Sequence, residues 1–378
     1  MRKVYLGNHQ IISPLGFSSK ENIDAVKQGK SAMQNYTSPI IGAYIAGKIL
    51  EKNLQEHFKP LAKNEAYTKL EKMMILAVAE VLQSHQEIKK EKIAFIIATT
   101  KGNIDALAEE NPFSKKRAKL SQLAKTLQQY FGFSTPPILV SNACISGGLA
   151  VSVAKKLIQN KTYDHAVVVG GDLVSEFTLT GFHSFQALAK NICQPFSKER
   201  TGINIGEAAA AVWVTSVKPK EKPIQIIGEA TANDANHISG PSRTGEGLFL
   251  SVEKALQEAN ILTSEIDYIS AHGTATLFND EMESIAFHRL GLQNTPLNSF
   301  KAYYGHTLGA SALLELIFSH VSLQENMVFK SLGYTSQGTS KTLNMITKTA
   351  HQPLQIALKT ASGFGGCNFA ILLKKETE

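Results

Sequence analysis

The chain has 378 residues, 43% hydrophobic and 19% charged, enough for about two domain-sized cores at ~100–200 residues each. Its 27 glycines and 12 prolines lie far below the ~25–30% of low-complexity or collagen-like sequence, and no uncharged apolar run approaches the ~18 residues of a membrane helix. Thirty-nine basic against 32 acidic residues leave a net charge of +7, which suits either a solvated surface or an acidic partner.

The elements alternate along the chain. Residues 65–83 place Tyr67, Leu70, Met74, Ala77, Val78 and Val81 at helical spacing, and 93–99 (IAFIIAT) reads as a buried strand. A strand at 137–140, a helix over 145–159 and a strand at 165–170 follow. Lys-rich 216–223 (SVKPKEKP) is the best linker. Beyond it come strands at 224–227 and 266–270 around a helix at 247–260. A short strand at 297–299 leads to a helix at 310–323, and 354–359 with 368–373 form a closing hairpin around Gly363–Gly366. Such alternation predicts an α/β fold with a largely parallel buried sheet. Matching turns, Ala143-Cys144-x2-Gly147-x2-Ala150 and Gly305-His306-x2-Gly309-x2-Ala312, point to a duplicated plan.

Several of these positions carry candidate chemistry. Cys144 lies in SNACISGG between a strand and a helix, where the helix dipole favours a thiolate and backbone N–H groups can hold an oxyanion. The small residues Ala143, Ser146, Gly147 and Gly148 would leave room for a substrate. The alternative is a buried structural cysteine, which is how Cys193 and Cys367 read. The three cysteines form no CxxC, so neither a disulfide framework nor a cysteine zinc site is expected. His272, in SAHGTAT, directly follows a strand, and His306, in YYGHTLGA, occupies the turn matched to Cys144. Lys301 and Glu315 flank His306 and could form a buried pair that orients it, or be a surface lysine and an ordinary helix glutamate. Asp280 and Glu283 could brace the His272 loop, and their spacing alone also permits a metal. Gly363-Phe364-Gly365-Gly366 lets backbone approach a ligand closely, but it lacks the features of a phosphate loop. Lys115, Lys116, Arg117 and Lys119 form either a solvated face or a docking patch. MRKVYLGNHQ lacks the apolar stretch of a secretory signal, so a cytoplasmic location is expected.

With these residues assembled, the chain resembles the β-ketoacyl-ACP synthases, decarboxylating condensing enzymes of the thiolase superfamily. The resemblance rests on NACISGGLA, AHGTATLFNDEMES, FKAYYGHTLGASALLE and GFGGCNFAILL. It implies a thiolase-type duplicated α/β/α/β/α layered fold of two similar halves with mixed five-stranded sheets. Residues 1–217 would carry the nucleophile and 218–378 the two histidines. Cys144, His272 and His306 would be the Cys-His-His set, with Lys301 holding the histidines and Glu315, Asp280 and Glu283 in support. Cys144 and Phe364 would give the oxyanion hole, Phe364 also the gate. Thr274, Thr276, Gly363 and Gly365 would meet the substrate. The resemblance implies acyl and malonyl thioesters delivered by an acidic acyl carrier protein, which brings the phosphopantetheine. No cofactor or metal of the chain's own is implied. A homodimer is expected, or a heterodimer with a related subunit, with no nucleic acid and no membrane insertion.

The chain departs from the family pattern in being shorter than usual. Pro195-Phe196-Ser197, Arg200-Thr201-Gly202 and Gly206-Glu207-Ala208 also differ, as does Ile145 after the nucleophile. The changes suit a polyketide or aryl-polyene-type pathway as well as fatty acid synthesis. Two other readings compete. A silent chain-length-factor-like subunit would usually lack the cysteine or a histidine. An α/β-hydrolase would want G-x-C-x-G, where Asn142 and Ser146 stand.

Overall fold

The computed structural model describes residues 2–235 and 240–376. Among them, ten strands make one sheet: β1 (Tyr5–Ile12), β2 (Ile93–Ala98), β3 (Ile138–Val140), β4 (His165–Asp172), β5 (Ala208–Thr215), β6 (Ile224–Asn233), β7 (Tyr268–Ser270), β8 (Leu297–Asn298), β9 (Ile356–Gly363) and β10 (Cys367–Lys375). The order across it is β8-β7-β9-β10-β6-β1-β5-β4-β2-β3. Read outward from the centre, β1-β5-β4-β2-β3 and β6-β10-β9-β7-β8 follow one plan. In each, the first three strands pair antiparallel and the last three parallel. The two mixed five-stranded sets are fused through Tyr5↔Gln225 and Leu6↔Ile224.

Strands buried on both faces sort their side chains by parity. In β2, Ala94, Ile96 and Ala98 face the central core, and Ile93, Phe95 and Ile97 face an outer one. In β10, Phe369, Ile371 and Leu373 face the same centre, while Ala370 and Leu372 face the opposite outer core. The outer cores are covered by α1 (Lys69–Gln83) on one side, and on the other by α4 (Glu246–Ala259) and α5 (Leu277–Arg289). Between the sheets lie α2 (Ser146–Gln159) and α6 (Ser311–Glu325). Every residue of α6 from Ser311 to Leu323 is buried, as a helix enclosed on all sides requires. The helix α3 (Glu176–Ser184) sits apart, with Phe177 exposed.

Several boundaries differ from expectation. The helix expected from residue 65 starts at Lys69, because Thr68 and Glu71 form a capping box that fixes the first turn. β6 runs past residue 227 to Asn233, held by pairing with β10 down to Asn233↔Cys367. β1 was not expected: its YLGNHQII mixes polar and apolar residues, and its register slips between Leu6 and His9. Nor was the hairpin of Gln34–Ser38 and Gly42–Gly47, whose first strand is largely exposed.

Candidate active site

The repeated plan puts Cys144 and His306 in equivalent places. Each follows the outermost strand of its set, β3 or β8, and precedes a central helix, α2 or α6. Ala143 bends the chain with φ +42°, and Ser146 pins the bend, accepting from Asn142 N at 2.8 Å and donating to Ala143 O at 2.7 Å. The two turns touch. A Cβ on Gly147 would lie 2.8 Å from Gly309 O, and one on Gly148 would strike the Phe369 ring at 2.4 Å. These glycines therefore bring helices and turns together; they do not open space for a substrate.

His272 follows β7 in a loop fixed from below. Glu283 accepts from His272 N at 2.8 Å and Gly273 N at 2.6 Å, and Asp280 accepts from Phe196 N at 2.7 Å and Ala275 N at 3.1 Å. Both carboxylates are fully buried. They are occupied by backbone donors and do not converge as metal ligands.

The three reactive side chains meet. One ligand-type atom from each of Cys144, His272 and His306 falls within a span of 4.8 Å, and the imidazoles lie edge to face at 5.1 Å. Among the described residues, both ring nitrogens of His306 and Nδ1 of His272 are buried without a hydrogen-bond partner. Leaving such groups unpaired costs ~1–3 kcal/mol each, and at a cavity they are available to a bound group.

Cys144, His272 and His306 open onto one cavity of about 350 Å³. Thr274, Thr276, Gly363 and Phe364 line it too, with aromatic Phe182, Phe185 and Phe278. Phe364, 40% exposed, packs between Phe182 and Phe185 at 5.5 Å from each. Gly363 passes so close to the nucleophile that a Cβ there would sit 3.0 Å from Cys144 N. Gly365 takes φ +85° and does not line the cavity. Behind the histidines, Lys301 Nζ donates to His272 O at 3.0 Å and to Glu315, which also accepts from Ser311 Oγ at 3.1 Å.

The family models agree with this plan. Residues 11–219 match the beta-ketoacyl synthase N-terminal domain, and 224–335 match the beta-ketoacyl synthase C-terminal domain. The chain belongs to the beta-ketoacyl synthase family. A 3-oxoacyl-[acyl-carrier-protein] synthase 2 of Staphylococcus aureus is 24% identical over 412 residues, covering 99% of this chain and 98% of the relative. Among solved structures, a ketosynthase in complex with its chain length factor from Xenorhabdus doucetiae superposes with a TM-score of 0.85. It is 26% identical, covering 99% of this chain and 98% of that one. The ishigamide ketosynthase/chain length factor, at 20% identity and full coverage of both chains, shares the fold with a TM-score of 0.87.

The electrostatics of this synthase-family site follow from burial. Burial, reinforced by Lys301, holds His272 and His306 well below the usual imidazole range, so both rings are neutral at pH 7. Burial also pushes the Cys144 thiol up to about 12, with Lys101 and Lys301 opposing. The expected thiolate does not follow: a helix N-terminus returns ~2 kcal/mol at most, or ~1.5 in pKa, too little to reverse that rise. Burial therefore favours the neutral Cys144 thiol. Asp280 is raised to about 6 by burial, and Glu283 is raised by burial and by Asp280.

Other predicted residues lie elsewhere. Arg117 is not free to dock a partner, since its guanidinium binds both oxygens of Glu71 at 2.9 and 2.8 Å; Lys115, Lys116 and Lys119 are exposed. Cys193 is buried away from the cavity, its N bound to Asn204. Cys367 backs the Phe364 turn, 3.5 Å from Phe364 O. Sequence reasoning missed Asp172 and Lys359. Asp172, at the end of β4, accepts from Thr100 N at 2.8 Å and Gly309 N at 2.7 Å, tying that strand to the His306 turn. Lys359, inside β9, reaches Glu315 Oε2 at 2.5 Å. The signal was a charge within an otherwise apolar strand.

Proposed function

We propose that this chain is a catalytic β-ketoacyl-ACP synthase. The observation that carries the reading is the convergence of one thiol and two neutral imidazoles, three of whose four ring nitrogens are unpaired among the described residues, on a single cavity. In the first half-reaction Cys144 Sγ attacks an acyl thioester. The C–S bond of the thioester breaks and the thiol proton goes to the departing thiolate, leaving an acyl-enzyme. The N–H groups of Cys144 and Phe364 hold the oxyanion, and Phe364 swings to admit the acyl chain.

In the second, malonyl-ACP binds with its thioester oxygen between His272 and His306. The bond to the carboxylate breaks, carbon dioxide leaves, and the electron pair enters the enolate. Neutral imidazole N–H donors suit this step, because they stabilise charge as it develops. The carbanion attacks the acyl-Cys144 carbonyl and expels the sulfur, giving a β-ketoacyl-ACP two carbons longer. Thr274, Thr276 and Gly363, which line the cavity, meet the substrate arm. The acidic carrier protein finds a chain of net charge +7, and residues 1–217 and 218–378 act as the two halves.

The test is turnover by the chain alone: carbon dioxide release and β-ketoacyl-ACP formation from an acyl-ACP panel with malonyl-ACP. Product from the isolated chain supports the reading. The similarity to a ketosynthase solved with a chain length factor favours one second reading, a subunit of a heterodimer. Turnover seen only with an added related subunit would establish that instead.

A further inference from the structure

Lys359 sits within β9 with its side chain fully buried. A buried ammonium is tolerated only when its donors are met, and a lysine has three of them. It donates to Ser270 O and Ala271 O, both at 3.2 Å, and forms an ion pair with Glu315 Oε2 at 2.5 Å. Lys301 takes the next carbonyl in the chain, His272 O, together with the other oxygen of Glu315. Three successive carbonyls at the end of β7 are thus gripped by two ammonium groups that share one carboxylate.

We propose that Lys359 is a positioning residue for the condensation: through the carbonyls of Ser270 and Ala271, and through Glu315, it fixes the backbone that aims His272 and adds a positive charge beside the histidine pair. The inference rests on the reading of the site as a decarboxylating synthase and adds a residue to it. Lys301 and Lys359 each act electrostatically on both His272 and His306. Their charge favours an enolate held by the imidazoles. Acylation of Cys144 raises its charge in a different place, at the N–H groups of Cys144 and Phe364, so the two half-reactions should respond unequally.

The variants are K359M, K359R and K359A. Acylation of Cys144 is read by intact mass, and carbon dioxide release from malonyl-ACP is read separately across pH. In K359M, decarboxylation should fall about 10–100-fold, below the ~10²–10³-fold loss of a direct donor, while acylation stays within about threefold. The acid limb of decarboxylation should move to higher pH in K359M, because imidazoles relieved of a neighbouring cation protonate sooner, and should stay in place in K359R. The other titratable groups around the pair (Cys144, Lys101, Lys301, Asp280, Glu283 and Glu315) are unchanged in these variants. Added ammonium or methylammonium should restore decarboxylation in K359A, and amine-treated K359A with K359R carries the test should K359M not fold. Equal loss of both half-reactions without amine recovery, or loss of neither, overturns the proposal. An unmodified chain that never acylates Cys144 overturns the underlying reading instead.

Discussion

The two halves of the fold share a strand order and a turn, and bury opposite kinds of chemistry there. After β3 the turn presents the Cys144 thiol, its neutral form favoured by burial, beside small residues and the backbone N–H groups of α2. The C-terminal half presents His272 and His306 above a sealed cluster of Lys301, Lys359, Glu315, Asp280 and Glu283. Duplication accounts for the shared backbone geometry; the charged groups account for the division of labour proposed for the two halves. A nucleophile that forms a covalent bond needs a close, shaped approach, whereas groups that stabilise a developing anion need a fixed field around them.

That contrast can be broken from the charged side first. E315A would strand two buried ammonium groups and should cost about 3–5 kcal/mol of stability, read as a lower denaturation midpoint in urea. A loss under 1 kcal/mol would mean the cluster is not sealed. H272A and H306A should each slow decarboxylation by about 10²–10³-fold, or ~2.7–4 kcal/mol, with the Cys144 acyl-enzyme still forming. Loss of acylation to the same extent would merge the two roles proposed for the halves.

The nucleophile's side is sharpened by G147A. Its Cβ would meet the backbone of Gly309 at 2.8 Å, so overpacking should cost about 1–3 kcal/mol and show as a lowered Tm. A neutral or stabilising result would show that the two turns are not in contact. The smallest effect concerns pH. His320, buried on α6 with both ring nitrogens unpaired, is held well below the usual imidazole range by burial, as His9 beside it is at about 4. These rings take up protons only on unfolding below about pH 6.5, so their contribution to stability falls as pH drops through that value. H320M should flatten the fall in Tm between pH 6.5 and 5; an unchanged slope would show that His320 is already charged when folded.

Much of this was legible in the chain. Runs such as IAFIIA and HAVVVG are strands because both faces are buried, and the matched turns disclosed the duplication before any coordinates. Cys144, His272 and His306 stood out by lying at strand ends beside small residues. What escaped depended on partners distant in sequence. β1 is fixed by pairing with β5 and β6, not by its own alternation. Lys359 looks like a break in an apolar strand until Glu315 and the end of β7 are placed beside it. Gly147 and Gly148 read as space for a substrate, and only the facing turn shows that they serve packing. The direction of the Cys144 shift was missed for a similar reason, since a helix N-terminus is visible in sequence and the depth of burial is not.

The most direct test of the central claim is the intact mass of the protein after incubation with acyl-ACPs of varied length, with C144A alongside. The account predicts a mass gain equal to one acyl group, absent from C144A and discharged on adding malonyl-ACP. An acyl adduct that survives in C144A, or no adduct with any acyl-ACP, would contradict it.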